Sequence, residues 1–136
     1  MSSPNLTAKV GDTHEVKSTV EEKHLANIVG SGDIEVFSTP SMIALMEKAS
    51  VDCIKDKMGA DWSSVGTSVN IAHLAATPLS LEVSAVATIT AIDGKKVSFK
   101  VEASDATGKI GEGTHERFIV QRDRFKQRTY EKLEKK

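Results

Sequence analysis

The stretch Thr39-Pro40-Ser41-Met42-Ile43-Ala44-Leu45-Met46-Glu47-Lys48-Ala49-Ser50-Val51-Asp52-Cys53-Ile54-Lys55-Asp56-Lys57-Met58-Gly59 carries the clearest helix signal in the chain. Thr39 can cap a helix, Pro40 suits the first helical position, and Gly59 can terminate it. Met42, Leu45, Met46, Ala49 and Cys53 recur at helical spacing, and Ile43, Val51 and Ile54 form a second apolar stripe beside them. A helix apolar over so wide an arc is wrapped by other structure. Its charged face, Lys48, Asp52, Lys55 and Asp56, is narrow.

Downstream of Ser64 the apolar period changes from 3.6 to 2. Val65, Thr67, Val69, Ile71, His73 and Ala75 are expected on one face of a long strand that Pro78 breaks. Leu81, Val83, Ala85, Ala87 and Ile89 share a face of the next strand, and Asp93-Gly94 is the strongest hairpin turn in the chain. Val97, Phe99, Val101 and Ala103 make a third strand. A turn at residues 105–108 leads to a fourth over 110–121. Upstream, residues 14–20 alternate weakly, as in a short strand. Residues 21–32 are irregular, with Gly30-Ser31-Gly32 as a flexible connection. Strands joined by hairpin turns pair antiparallel, and their apolar face needs a cover. The helix is the only large apolar partner, so an α+β fold is expected in which a curved antiparallel sheet wraps one central helix. Such a sheet leaves an edge strand exposed, and edge-to-edge homodimerisation is a natural remedy. Residues 1–12 read as a flexible tail, 13–122 as one domain, and 123–136 as a final helix or tail.

The 136 residues, 39% apolar and 27% charged, suffice for one packed core and exclude a disordered chain. Eighteen basic residues against nineteen acidic ones provide no positive field for nucleic acid, and only 4% of residues are aromatic. Apolar runs of four to five residues, as in Ile43 to Met46, are far short of the roughly 20 residues that span a bilayer. The polar N-terminus lacks the apolar core of a signal peptide, so a soluble cytoplasmic protein is expected. One cysteine, Cys53, excludes a disulfide framework and a cysteine zinc site. His14, His24, His73 and His115 show no ligand spacing, and no glycine-rich phosphate loop is present, so neither a metal nor a cofactor is expected.

A few residues stand out of place. Glu47 puts a carboxylate on the stripe of Ile43, Val51 and Ile54. It either reaches water at the stripe's edge or is held for function, since an unpaired buried carboxylate costs several kcal/mol or more. His73 interrupts an apolar strand face, as a satisfied core residue or as a catalyst. Gly66 marks a bulge or a close backbone approach. Gly111, Gly113, His115 and Arg117 share one face of the last strand, leaving room for a ligand or for another element packed close. Seven basic and three acidic residues over 121–136 make a solvated terminal face or one that attracts a phosphate-bearing ligand.

Val36-Phe37-Ser38-Thr39-Pro40, Leu45-Met46-Glu47, Val65-Gly66-Thr67, His73-Leu74-Ala75-Ala76-Thr77-Pro78 and Gly111-Glu112-Gly113-Thr114-His115-Glu116-Arg117 occur in family order and at family spacing. On these segments the chain resembles the hot-dog-fold thioesterases of the fluoroacetyl-CoA thioesterase-like family. The resemblance implies a hot-dog fold, usually dimeric with the pocket between subunits, and hydrolysis of an acyl-CoA thioester. It places the catalytic threonine, glutamate and histidine on Thr39, Glu47 and His73. The glycine beside the thioester carbonyl falls on Gly66. Arg117, as a substrate-site residue, anchors the constellation or meets the CoA arm. The fluoroacetyl enzyme carries aromatic lid residues upstream of Phe37. Here Gly30-Ser31-Gly32-Asp33-Ile34-Glu35 contains none, so a small or medium acyl-CoA is expected instead of fluoroacetyl-CoA. The rivals are a non-catalytic hot-dog module binding acyl-CoA or acyl carrier protein, and a hydratase on the same fold.

Overall fold

The computed structural model describes residues 3–135. Five strands form one antiparallel sheet: β1 (Thr13–Thr19), β2 (Trp62–His73), β3 (Glu82–Asp93), β4 (Lys96–Asp105) and β5 (Gly108–Gln121), in the spatial order β1-β3-β4-β5-β2. A four-residue helix, α1 (Ala26–Val29), precedes the long helix α2 (Thr39–Ile54), and α3 (Arg122–Tyr130) follows β5. This is the expected α+β hot-dog architecture.

The alternation predicted for β3 and β4 holds. Val83, Ala85, Ala87 and Ile89 are buried, as are Val97, Phe99, Val101 and Ala103. They meet Met42, Met46, Ala49, Cys53 and Ile54 of α2 in a single core. Each large apolar side chain buried there contributes about 1.5–3 kcal/mol. The small residues Ala85, Ala87 and Ala103 let the sheet curve closely around the helix.

Four expectations need correction. The cap of α2 is Ser38, whose hydroxyl accepts the Ser41 N–H at 3.1 Å, so Thr39 is the first helical residue and its side chain is free for other work. The helix ends at Ile54, before Gly59, whose φ of +94° serves the turn that leads into β2. In β2 the register against β5 shifts between Gly66 and Ser68. Val65 lies opposite the exposed Phe118, whereas Val69 lies opposite the buried His115, so Val65 does not share the inner face of Val69, Ile71 and His73. The bulge turns Gly66, opposite Arg117, inward instead. The strand also ends at His73, where the N–H groups of Leu74 and Ala75 both donate to the Ile110 carbonyl. The segment expected as an N-terminal tail is held at two backbone points. The Thr7 N–H donates to Lys57 O and the Gly11 N–H to Ile89 O, and Ala8 is buried. Met1 and Ser2, at the start of that expected tail, and Lys136 lie outside the described residues.

Candidate functional site

Two clusters of the singled-out residues form within the chain. The first joins the start of α2 to the end of β2. The segment before α2 is threaded between neighbours: the Phe37 N–H donates to Thr77 O at 2.9 Å and the Ser38 N–H to His24 O at 2.8 Å. With Ser38 occupied as the cap, Thr39 Oγ1 reaches the Nδ1 atom of His73 at 2.7 Å. Burial pushes the His73 pKa below its ordinary value, opposed by the nearby Ala75 backbone carbonyl, so the ring is neutral at pH 7. Its Nε2 is shielded and without a hydrogen-bond partner among the described residues. An open cleft of about 350 Å³ lies here, lined by Ala26, Phe37, Thr39, His73 and Leu74 among others. A neutral imidazole that accepts the threonine proton at Nδ1 presents an Nε2–H donor to a ligand.

The second cluster lies one helical segment away. Glu47, on α2, is half-buried, and its Oε2 lies 3.6 Å from Arg117 Nη1 and 3.9 Å from His115 Nε2. The carboxylate therefore neither sinks unpaired into the core nor stands free in water. A Cβ built on Gly66 would meet Glu47 Oε2 at 2.8 Å, His115 at 3.2 Å and Arg117 at 3.3 Å. Gly66 is thus the close backbone approach foreseen from sequence, and what approaches is the carboxylate cluster. Arg117 is buried and heavily engaged. Its Nε donates to Ser64 Oγ at 2.8 Å and its Nη2 to Ser64 O at 3.0 Å. That placement fits anchoring of the constellation, not reach toward a solvent-exposed arm. Burial lowers the Arg117 pKa and Glu47 raises it, and a guanidinium remains charged throughout.

His115 is the residue that sequence reasoning left without a role, although its alternation with Arg117 was visible. It is 1% exposed and lies against both Arg117 and Glu47. Of its glycine neighbours, Gly111 admits the Met42 side chain, and Gly113 lies against the Asn70 backbone. These two glycines allow close packing and do not open a ligand space. Among the described residues no group of three His, Cys, Asp or Glu could hold a metal ion, and no helix is long and apolar enough to cross a membrane.

The two clusters are well separated within one chain. Thr39 and Glu47 are eight residues apart on α2, about 12 Å of rise. Gly66 and His73 are seven residues apart on β2, about 20 Å. One thioester carbonyl cannot touch both clusters of a single chain.

Comparison with known proteins gives the family and the fold. The model of the family described as FlK, fluoroacetyl-CoA-specific thioesterase, matches residues 20–123. The fluoroacetyl-CoA thioesterase of Streptantibioticus cattleyicolor is 36% identical over 98 residues, covering 72% of this chain and 70% of that protein. A crystal structure of a single-residue variant of the fluoroacetyl-CoA-specific thioesterase, in complex with fluoroacetate and CoA, superposes with a TM-score of 0.82 at 30% identity, covering 86% of this chain and 98% of that one. A thioesterase-superfamily protein of Thermus thermophilus shares the fold, with a TM-score of 0.85 at 24% identity over 94% of this chain and 97% of its own. With its matched segments and its five-stranded sheet around one helix, the chain belongs to the fluoroacetyl-CoA-specific thioesterase family of hot-dog proteins.

Proposed function

We propose that this protein is an acyl-CoA thioesterase that cleaves a small or medium acyl thioester with water, releasing the acid and free CoA thiol. The observation that carries the reading is the Thr39–His73 hydrogen bond at the cleft, in a chain whose match to the thioesterase family spans both clusters.

The separated clusters call for a second copy. β2 is a long edge strand that, among the described residues, pairs with β5 alone, and Val69 and Leu74 are exposed near its end. Antiparallel pairing of two β2 edges about a twofold axis near Val69 and Asn70 would set Gly66 beside His73 of the partner subunit. Each complete site would then combine Thr39 and His73 of one subunit with Glu47, Gly66 and Arg117 of the other. The homodimer closes the exposed edge and completes the catalytic set together.

The chemistry follows from the donors. A thioester carbonyl is electrophilic, and thiolate is a competent leaving group. Glu47 either takes the proton of an attacking water or attacks the carbonyl itself, giving an anhydride that water then opens. The Gly66 N–H and the start of α2 serve the developing oxyanion. The His73 Nε2–H meets the carbonyl oxygen or the departing sulfur, and Thr39 holds that ring in the donating tautomer. The proton lost by water ends on the CoA thiol. A CoA thioester substrate fits a cytoplasmic protein, as do the buried free Cys53 and the near-neutral charge.

A panel of acyl-CoA esters followed by free-thiol release tests this reading. Turnover of a short or medium ester that Glu47→Ala and His73→Ala each lower by about 10²-fold or more, with the fold intact, is the expected result. Ligand-induced thermal stabilisation without any thiol release would instead assign the chain as a binding module, and turnover of a 2-enoyl-CoA to its hydrate would assign it as a hydratase.

A further inference from the structure

His115 is buried, uncharged and hydrogen-bonded at both ring nitrogens. Its Nδ1 lies 2.8 Å from the Ser68 carbonyl, and its Nε2 lies 3.1 Å from Arg117 Nη1. A carbonyl only accepts and a guanidinium only donates, so the tautomer is determined: Nδ1 carries the proton and the Nε2 lone pair receives Arg117. A ring so engaged has no free lone pair with which to act as a base and no N–H to aim at Glu47. Phe99 stacks on its face, with centroids 6.1 Å apart and planes 26° apart, which fixes the ring plane. The Ser68 carbonyl is placed by the bulge at Thr67, where the register slips and the Thr67 hydroxyl donates to Glu116 O.

Arg117 is therefore held from two sides. Ser64 takes Nε and Nη2, and His115 takes one N–H of Nη1. Glu47 Oε2 lies 3.6 Å from the same Nη1 and 3.9 Å from His115 Nε2, so the carboxylate faces the guanidinium as its counter-charge. We infer that His115 is a positioning residue for thioester hydrolysis: its Nε2 lone pair orients the Arg117 guanidinium, which in turn holds the Glu47 carboxylate over Gly66. The inference rests on Glu47 being the catalytic carboxylate. A guanidinium free to swing would still neutralise the cluster, but it would leave the carboxylate's direction unset, and misplacement by about 1 Å can cost up to about 10²-fold in rate.

Two isosteric variants separate orientation from packing. Asparagine at 115 puts an amide donor where Nδ1 sits, keeping the Ser68 bond while offering Arg117 nothing. Glutamine puts a carboxamide oxygen near the Nε2 position, keeping the Arg117 bond while losing Ser68. His115→Asn is expected to lower kcat about 10-fold with KM changed by no more than about 2-fold, while His115→Gln keeps kcat within about 3-fold of the parent. Melting temperatures should fall by similar amounts in both. In an Arg117→Lys background His115→Asn should add no further loss, because both act on one carboxylate. Unchanged kcat in His115→Asn, or an equal fall in the two variants that follows their melting temperatures, would overturn the inference. Glu47→Gln is assayed alongside. If it is inactive while His115→Asn is fully active, the positioning role alone falls; if it is fully active, the carboxylate reading falls and takes this inference with it.

Discussion

The Thr39 hydroxyl lies 2.7 Å from His73 Nδ1 and ties the first turn of α2 to the last residue of β2. This bond exists because capping is done by the preceding residue. Thr39→Ala should therefore lower kcat at least about 10-fold while leaving thermal stability almost unchanged, and Thr39→Ser should stay within a few-fold of the parent. Ser38→Ala should do the reverse, losing about 1 kcal/mol of stability. Steady-state kinetics and thermal melts of the three variants check the division of labour.

Gly66 has no room for a methyl group beside the carboxylate, yet the atom it would strike is the far end of a half-buried side chain. Gly66→Ala should cost little stability, under about 1 kcal/mol, because Glu47 can swing outward. Activity should fall about 10²-fold, because the displaced carboxylate no longer faces the substrate. A variant that melts as the parent does and also turns over as the parent does would remove Gly66 from the site.

Burial lowers the folded-state pKa of both His73 and His115 below the ordinary 6.5; for His115 Arg117 lowers it further, while Ser68 and Glu47 oppose. The unfolded chain then takes up more protons than the folded one as the pH drops below about 6.5, so stability present above that pH is lost progressively below it. Glu102, whose pKa Lys109 lowers, behaves like an ordinary paired carboxylate and adds acid sensitivity only at lower pH. The melting temperature should fall between pH 7.5 and 5.5, and less steeply in His115→Gln. A flat profile across that window would contradict neutral, buried imidazoles.

The segment from Gly30 to Glu35, upstream of the cleft, has no aromatic side chain, and Ile34 in it is 66% exposed. No apolar gate closes over Thr39 and His73 from these residues. Acetyl- and propionyl-CoA should be hydrolysed with kcat/KM at least equal to that for fluoroacetyl-CoA. A strong preference for the fluorinated ester, measured in direct competition, would show that selection does not need an aromatic lid.

The helix and the strands were legible because their apolar periods are long and uninterrupted: Met42 to Ile54 at 3.6, Val83 to Ile89 and Val97 to Ala103 at 2. Their pairing was legible only from β3 onward: β2, read as the first of four strands joined by hairpin turns, pairs with β5 and leaves the place beside β3 to β1. Period alone failed at Val65, since a bulge adds one residue and reverses which side chains face inward. It failed at Thr39 because Ser38 and Thr39 are both good caps, and only the Phe37 and Ser38 backbone bonds decide between them. Glu47, His73, Gly66 and Arg117 were visible as misfits in their patterns. His115 was visible too, but its partner is a carbonyl whose direction depends on that same bulge. The division of the site into two clusters came from sequence only through the resemblance, which implies a pocket between subunits; which residues group together follows from the contacts at the two ends of the Gly66–His73 stretch.

Subunit complementation tests the shared site most directly. Thr39→Ala and Glu47→Gln proteins, each nearly inactive, are mixed, unfolded and refolded together, and thiol release is measured. If each site takes Thr39 and His73 from one subunit and Glu47 from the other, random pairing makes half the dimers mixed, each with one intact site, and activity returns to about one quarter of the parent's. Activity that stays at the level of the two separate variants would mean that the carboxylate and the imidazole of a site belong to one chain, and the central claim would fail.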